Sequence, residues 1–259
     1  MIKEIKDKDI LYDRFVKDVF LFAYHIGDLD DFYFSDCKWF GIEKNGQIVD
    51  VILLYLGLKV PTLLVFGSVE IIPKLIKELI DILPDRFYCH YEGNFHELFE
   101  SDYKMISLGT HLKMRFQGEL SNHSNVDTSE VIHLTEEDLQ EILLLYQDAY
   151  PECYFVPYML NTGKYYGVKV DKRIVSVAGV HVFSSYYNIA VLGNIATHPD
   201  FRGKRLAKKC VIQLLKSFGG EIDRIGLNVK EDNTIALQTY KDLGFIVHST
   251  YKEAYFERI

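Results

Sequence analysis

The sequence predicts a mixed α+β protein built from two domains. Its 259 residues suit one large or two small domains, and the shares of hydrophobic residues, 48%, and charged residues, 25%, are close to globular averages. A polar stretch without aromatic residues, QGELSNHSNVDTSE, separates two segments in which strand-like and helix-like patterns alternate. We therefore expect a first domain at 1–117, a linker at 118–130 and a second domain at 131–259.

The first domain is expected to combine helices with a mainly antiparallel sheet. KWFGIE and QIVDVILLYLGL are predicted strands on either side of Asn45-Gly46, a pair that favours a type I′ hairpin turn. Apolar residues at i, i+3, i+4 spacing from Ile71 to Leu83 predict an amphipathic helix that Pro84 ends. PTLLVFG, RFYCHY and THLKMRF are further predicted strands, with a short helix between the last two.

The second domain shows a longer alternation of the same patterns. Thr135 and Asp138 form a capping-box pair that predicts a helix to about Ala149, and a short helix is expected near Pro157. The complete predicted order is β, α, α, β, β, β, α, β, α, β, β, with helices at about 204–218 and 233–243 and a final hairpin of FIVHST and AYFERI. The first domain follows the later part of this order, which indicates an internal duplication of the fold.

Charge and cysteine content exclude several classes of protein. The 29 basic and 37 acidic residues give a net charge of −8, which argues against a general nucleic-acid binder. The cysteines are too far apart for a zinc knuckle or a disulfide framework, so we expect no metal and a reducing, cytoplasmic setting. The charged start MIKEIKDKD does not resemble a signal peptide, and no stretch is apolar enough for a membrane span.

One segment combines features of a phosphate-binding site. In NIATHPDFRGKRLA, residues 194–207, a predicted strand ends at Thr197 and a basic loop containing Gly203 leads into a helix. Backbone N–H groups, the helix dipole and cationic side chains then converge on one place, which favours an anion. The alternative is an ordinary turn between a strand and a helix, with Lys and Arg on its surface.

A second segment lies about 20 residues downstream. LNVKEDNTIALQTYKDLGF, residues 227–245, has Asn233 as a helix N-cap and Gly244 as a C-cap. Its apolar residues form a packing stripe, so this segment alone is explained as a packed helix.

Together, the two segments resemble the GNAT superfamily of acetyl-CoA-dependent N-acetyltransferases. The family loop, [Q/R]-x-x-G-x-[G/A] after a strand, is matched from Arg202 to Ala207, and Thr197-His198-Pro199 resembles the V-x-P-like approach. The later signature, V-x-x-x-N-x-x-A-x-x-x-Y-x-x-x-G-F, is matched by Val229, Asn233, Ala236, Tyr240, Gly244 and Phe245. The resemblance covers Val131 to Ile259 and implies a tandem GNAT arrangement with a degenerate first half.

The resemblance implies a role for each matched residue. The backbone of Ile195 and Thr197 would pair with the pantetheine arm of acetyl-CoA, and Asn233 would contact the coenzyme. Tyr240 would be the general acid that protonates the leaving thiolate, although a half-buried core tyrosine is the alternative. The pyrophosphate would be held by the amides of Arg202, Gly203, Lys204, Arg205, Leu206 and Ala207.

Two departures from the family pattern are visible. Arg205 replaces the internal glycine of the loop, and if the backbone there needs a positive φ this costs about 1 kcal/mol or more. No carboxylate lies between Tyr187 and Thr197 to act as general base, which leaves His181, His198 or an ordered water as alternatives. Cys153, beside Tyr154, is a possible lining residue of the acceptor site or a packing residue.

The expected function is acyl-CoA-dependent N-acyl transfer, with acetyl passing from acetyl-CoA to a primary amine by direct attack in a ternary complex. The acceptor, a small molecule or a peptide, and the oligomeric state are not identified by the sequence. The alternative from another class is a catalytically silent GNAT-fold module that senses the coenzyme or serves as a scaffold. Aminoacyl or long-chain acyl transfer is a third possibility.

The first half carries PTLLVFGSVEIIPKL where the phosphate loop of a second copy would lie. This segment has no Arg-x-x-Gly, so we expect no coenzyme site there and a role in shaping the acceptor groove, by analogy with tandem relatives. The acidic run Gly27-Asp28-Leu29-Asp30-Asp31 either presents carboxylates to a cationic acceptor or forms a helix end and a solvated turn.

Overall fold

The computed structural model describes residues 2–44 and 47–259. The expected Asn45-Gly46 turn lies outside the described residues. The chain forms two compact units. The first contains the chain up to Lys113 together with Val229–Asp232 and His248–Ile259, and the second contains Met114–Asn228 and Asn233–Val247. Two segments near the end of the sequence therefore return to the first unit.

The first unit contains a sheet in which the first five strands lie side by side in sequence order. They are β1 (Ile2–Glu4), β2 (Cys37–Lys44), β3 (Gln47–Tyr55), β4 (Thr62–Val65) and β5 (Arg86–Tyr91). The first part of β6 (Tyr103–Phe116) also belongs to this unit. Neighbours from β1 to β4 pair antiparallel, whereas β4 and β5 pair parallel. The predicted strands of this half are confirmed.

Four helices accompany this sheet: α1 (Lys8–Phe15), α2 (Ala23–Gly27), α3 (Asp31–Phe34) and α4 (Ile72–Leu79). The predicted amphipathic helix is α4, continued by a 3₁₀ turn at Ile80–Ile82. The acidic run lies where α2 ends and α3 begins, and the Asp30 carboxylate accepts a hydrogen bond from the Phe32 amide as the N-cap of α3. Asp28 is buried, and burial raises the pKa of its carboxyl well above the usual range.

The second unit repeats this topology. Its strands are β7 (Val131–His133), β8 (Tyr166–Val170), β9 (Arg173–Ser184), β10 (Ile189–Thr197), β11 (Arg224–Lys230) and the start of β12 (Phe245–Arg258). Its helices are α5 (Leu139–Ala149), α6 (Leu206–Lys216) and α7 (Thr234–Asp242). Strands β7 to β10 pair antiparallel and β10 pairs parallel with β11. The predicted duplication and the mixed α+β class are confirmed.

Local signals in this half act as expected. Thr135 and Asp138 form the capping box, ahead of a short 3₁₀ turn and α5. The helix expected at 204–218 begins later, at Leu206, because Arg205 immediately before it has a left-handed conformation with φ 61°. A 3₁₀ helix at Pro157–Thr162 takes the place of the short helix expected near Pro157.

The predicted final hairpin is wrong, since β12 is one continuous strand of 14 residues. The segment between the two expected strands contains no Gly, Pro, Asn or Asp, so it offers no residue that favours a tight turn. From Lys252 to Glu257, β12 pairs antiparallel with β5, in register with Tyr91 to Arg86. This pairing places the later part of β12 in the sheet of the first unit.

Each unit has its own apolar core. In the first unit α4 buries Ile72, Leu75, Ile76 and Leu79 in a cluster that also contains Phe87, Phe99 and Phe256. In the second unit α5 and α6 bury their apolar faces, including Ile142, Leu145, Val211, Leu214 and Leu215. No helix within residues 2–44 and 47–259 is long and apolar enough to cross a membrane.

Candidate active site

A β-bulge interrupts β10 shortly before its end. The register of β10 with β9 shifts between Gly193 and Ala196, and Asn194 in the bulge has φ 53°. The parallel register of β10 with β11 runs from Ile189 to Leu192 and stops before the bulge. The edge of β10 from the bulge to Thr197 therefore extends beyond its registered pairing with β11.

Two tyrosines hold the bulge in place. The Tyr146 hydroxyl, on α5, donates a hydrogen bond to the main-chain carbonyl of Asn194 at 2.7 Å. The Asn194 side-chain amide donates to the Tyr165 hydroxyl at 2.9 Å, and that hydroxyl donates to the carbonyl of Val180 on β9 at 2.9 Å. Asn194 is 2% exposed, so this network pairs its main-chain carbonyl and its side-chain NH₂ group away from water, while its Oδ1 atom has no hydrogen-bond partner among the described residues.

Sequence reasoning missed Asn194, Tyr146 and Tyr165. The available signal was Gly193-Asn194 inside a strand pattern, because an isolated glycine there suggests a bulge and asparagine tolerates a positive φ. The tyrosines gave no such signal, since their partners are distant in sequence.

His181 lies against the bulge. A Cβ atom built on Gly193 would come within 1.8 Å of the His181 ring, so only glycine fits at this position while the ring keeps its place. The His181 ring is 6.4 Å from the Tyr154 ring, centroid to centroid. The structure therefore brings one of the two histidines considered as general base to the point where β10 leaves β11.

His198, the other histidine considered, caps a turn. Its Nδ1 atom accepts a hydrogen bond from the Asp200 amide at 3.3 Å and caps a 3₁₀ turn at Pro199–Phe201. Its Nε2 atom lies 3.8 Å from the carboxylate of Asp148 on α5. The Nδ1 atom is thus engaged, and the Nε2 atom faces a carboxylate beyond hydrogen-bond distance.

The basic loop follows this turn. The Arg202 Nε atom donates to the Thr197 carbonyl at 3.2 Å, which ties the start of the loop to the end of β10. Gly203 has φ 77° and Arg205 has φ 61°, so the residue that replaces the family glycine adopts the conformation that favours glycine. The cost expected for such a replacement is about 1 kcal/mol.

The N-terminus of α6 is free of side-chain caps. Arg205 makes no side-chain capping hydrogen bond, and the first turn of the helix, from Leu206, contains no acidic residue. Its amide groups and the positive end of the helix dipole are therefore available to an anion. Arg202, Lys204 and Arg205 add cationic side chains beside it, with the Lys204 ammonium 4.6 Å from the Phe201 ring centroid.

Helix α7 carries the other two matched residues. The Asn233 Oδ1 atom accepts from the Ala236 amide at 3.2 Å, so its role as N-cap is confirmed. Tyr240 is 8% exposed and its ring is 6.1 Å from that of Phe245. Burial, and then the neighbouring Tyr150, raise the pKa of the Tyr240 hydroxyl well above its usual range. The hydroxyl therefore stays protonated at neutral pH.

Two further residues bear on the chemistry. The Thr197 hydroxyl lies 2.8 Å from the Ser176 hydroxyl on β9 and forms a hydrogen bond there. Thr197 therefore contributes its backbone, rather than its side chain, to the edge of β10. Burial raises the pKa of the Cys153 thiol, so the reactive thiolate is disfavoured. Within the described part of the chain, no group of three or more His, Cys, Asp or Glu side chains is arranged to hold a metal ion.

The segment that contains these residues matches a known family. The model of the acetyltransferase (GNAT) family matches residues 130–245, a range that contains the bulge, the basic loop and α7. Residues 130–245 are a GNAT domain. A search of the curated proteins finds no significant match.

Solved structures share the fold of the whole chain. A GNAT-family structure from Novosphingobium aromaticivorans is 17% identical with a TM-score of 0.62, over 85% of this chain and 91% of that one. A Drosophila protein is 11% identical with a TM-score of 0.72, over 99% and 98%. A tandem GNAT protein from the clavulanic acid biosynthesis pathway is 10% identical with a TM-score of 0.60, over 100% and 98%. The tandem GNAT fold is therefore shared by both halves, and the GNAT domain supports acyl-CoA-dependent acyl transfer as the general class of reaction.

Proposed function

We propose that the protein transfers an acyl group, in the simplest case acetyl from acetyl-CoA, to a primary amine by direct attack within a ternary complex. The observation that carries this proposal is the end of β10, where a strand edge freed by the bulge leads into a cationic loop and the uncapped N-terminus of α6. A free strand edge suits an extended arm that contains amides, and a helix N-terminus suits a pyrophosphate. The two follow each other as pantetheine and pyrophosphate do in the coenzyme.

The chain has residues suited to the pantetheine arm and to the pyrophosphate of acetyl-CoA. When bound, the coenzyme supplies the acyl group as an activated thioester. The backbone of Ile195 and Thr197 would pair with the pantetheine arm, and the Asn233 side-chain NH₂ group remains available to the coenzyme because only its Oδ1 atom caps α7. The pyrophosphate would rest on the amides of Arg202, Gly203, Lys204, Arg205, Leu206 and Ala207.

Two residues would handle protons. Tyr240, kept neutral by burial, would donate its proton to the departing thiolate sulfur. Of the two histidines, His181 is better placed to accept the proton of the attacking amine, because its ring lies against the bulge while the Nδ1 atom of His198 caps a turn and its Nε2 atom faces Asp148. The four cysteines are free thiols, which supports a reducing, cytoplasmic setting.

Calorimetric titration of acetyl-CoA into the full chain tests the coenzyme site. We expect binding at one site, weakened at least tenfold in an Arg202→Ala, Lys204→Ala double variant. Arg173→Ala, at the exposed start of β9, is the matched control and should bind as the wild type does. Absence of acetyl-CoA binding by the wild type would refute the proposal.

Turnover is tested separately, by release of free CoA with a panel of primary amines. For an enzyme, Tyr240→Phe should lower kcat by at least tenfold while the Kd for acetyl-CoA changes little. The silent module is favoured by Arg205 and by the absence of a carboxylate on β10. It predicts coenzyme binding with no turnover of any amine, so the two functions are distinguishable.

A further inference from the structure

A buried lysine lies among aromatic rings within the first unit, outside the GNAT domain. Lys113, on β6, is 3% exposed. Its ammonium nitrogen is 4.8 Å from the ring centroid of Phe66, 5.0 Å from that of Tyr251 and 5.5 Å from that of Tyr24. Such cation–π contacts attract the ammonium, yet a ring face is a weak acceptor for its three N–H donors.

The Lys113 ammonium has no conventional acceptor in the protein. Among the described residues, none accepts a hydrogen bond from its Nζ atom and none forms an ion pair with it. Burial lowers the pKa of Lys113 to about 8, although the charges of Glu92 and Asp18 oppose this shift. A buried ammonium is normally paired, so these free donors indicate that a negatively charged group belongs beside Lys113.

Two carboxylates that act electrostatically on Lys113 have unused hydrogen-bonding capacity. No described residue donates a hydrogen bond to the carboxylate of Glu92, which follows β5 and is partly buried. Burial raises the pKa of Glu92, Lys113 lowers it and Asp18 raises it. Asp18 accepts from the Leu21 amide and from His248, both through Oδ1. These carboxylates influence Lys113 electrostatically and still make no ion pair with it.

The position of this cluster also points to a ligand. Phe66 directly follows β4 and Glu92 directly follows β5, the parallel pair of the first unit. Ligands of sheet proteins commonly bind beyond the carboxyl ends of parallel strands. The main-chain amide of Ser68, two residues after Phe66, is not available to a ligand because it donates to the Asp50 carboxylate at 2.9 Å.

We propose that the first unit binds a small amino carboxylate, such as a free α-amino acid, whose carboxylate pairs with Lys113 and whose ammonium pairs with Glu92 and Asp18. A simple anion would satisfy Lys113 but would be repelled by the two carboxylates. A simple amine would satisfy the carboxylates and be repelled by Lys113. Only a ligand that carries both charges removes both deficiencies, and this site is independent of the coenzyme site.

The test is a set of calorimetric titrations of the full chain at pH 7 with the twenty common L-amino acids, with acetate and methylamine as probes of each charge alone. We expect at least one amino acid to bind at least tenfold more tightly than acetate or methylamine. Absence of binding by all twenty, or equal binding of acetate, would overturn the proposal.

Variants localise the binding. Lys113→Met and Glu92→Gln should each weaken the amino acid at least tenfold, and Lys104→Met, exposed on the same strand, is the matched control. Lys113→Met removes a buried charge and should fold, which its thermal transition verifies. Glu92→Gln supplies a second, milder change. Unchanged affinity in both variants would place the ligand elsewhere and refute the assignment.

Discussion

The hydroxyl of Tyr146 on α5 is hydrogen-bonded to the main-chain carbonyl of Asn194 in the bulge of β10, at 2.7 Å. A helix in the GNAT domain thereby fixes a strained backbone position in the neighbouring strand. Because the bulge ends the registered pairing of β10 with β11, this one bond bears on the strand edge that the proposed coenzyme site uses.

Removing this hydroxyl should weaken the domain and the proposed site together. Tyr146→Phe leaves a buried carbonyl without its donor, so we expect a loss of about 1–3 kcal/mol in the free energy of unfolding. We also expect a higher Kd for acetyl-CoA, measured by calorimetry beside urea denaturation. Tyr166→Phe is the control, because Tyr166 contacts the His133 ring and its hydroxyl has no bond among the described residues. Equal effects of the two variants would contradict the role given to Tyr146.

Restoring the family glycine should stabilise the loop. Arg205 has φ 61°, and Arg205→Gly removes the strain while increasing the entropy of the unfolded chain. We expect a net gain of about 0.5–1 kcal/mol in thermal or urea unfolding. Lys204→Gly removes the same charge at a position without positive φ, and it should destabilise by about 0.4–1 kcal/mol. A loss of stability in both variants would contradict the strain argument.

The first unit contains a buried ion pair that should be sensitive to substitution. Asp50 is 2% exposed, its carboxylate is 2.6 Å from the Arg14 guanidinium, and it accepts from the Ser68 amide. Asp50→Asn leaves Arg14 without its counter-charge, so we expect a loss of about 3–5 kcal/mol in urea denaturation. The exposed pair of Arg86 and Glu257 is the comparison, and Glu257→Gln should cost less than about 1 kcal/mol. Comparable losses would show that burial of the pair does not matter.

Lys113 should make the stability of the ligand-free protein depend on pH in alkaline solution. Burial lowers its pKa from 10.5 to about 8 in the folded protein, so between these values the unfolded chain binds the additional proton. Stability therefore rises with pH in this window, by up to about 1.4 kcal/mol per pH unit relative to Lys113→Met. Urea denaturation of both proteins at pH 7, 8, 9 and 10 measures the difference. A constant difference would mean that Lys113 titrates normally.

Much of the fold follows from local patterns in the sequence. The capping box at Thr135 and Asp138, the apolar spacing of α4 and the N-cap at Asn233 depend on residues three or four positions apart. The GNAT motifs similarly placed the loop and α7 in the correct elements. Such signals survive in one sequence because both partners lie in the same short segment.

Features that depend on distant partners were not predictable. The hydrogen bond from Tyr146 to Asn194 and the ring contacts of Lys113 each involve residues from separate elements. No motif in the sequence indicates them. The predicted hairpin at β12 is wrong because the charged pair Lys252-Glu253 interrupts the apolar pattern of a strand that is continuous in the structure. The roles proposed for Tyr240 and His181 stay predictions.

The return of β12 to the first unit has a consequence for biosynthesis. β5 pairs with residues 252–257, so this edge of β5 has no partner until the whole GNAT domain has been synthesised. Pairing at this separation is slow, and an open strand edge on a nascent chain invites aggregation. The order of synthesis is thus the reverse of the order in which the units can be completed: the half made first is finished last.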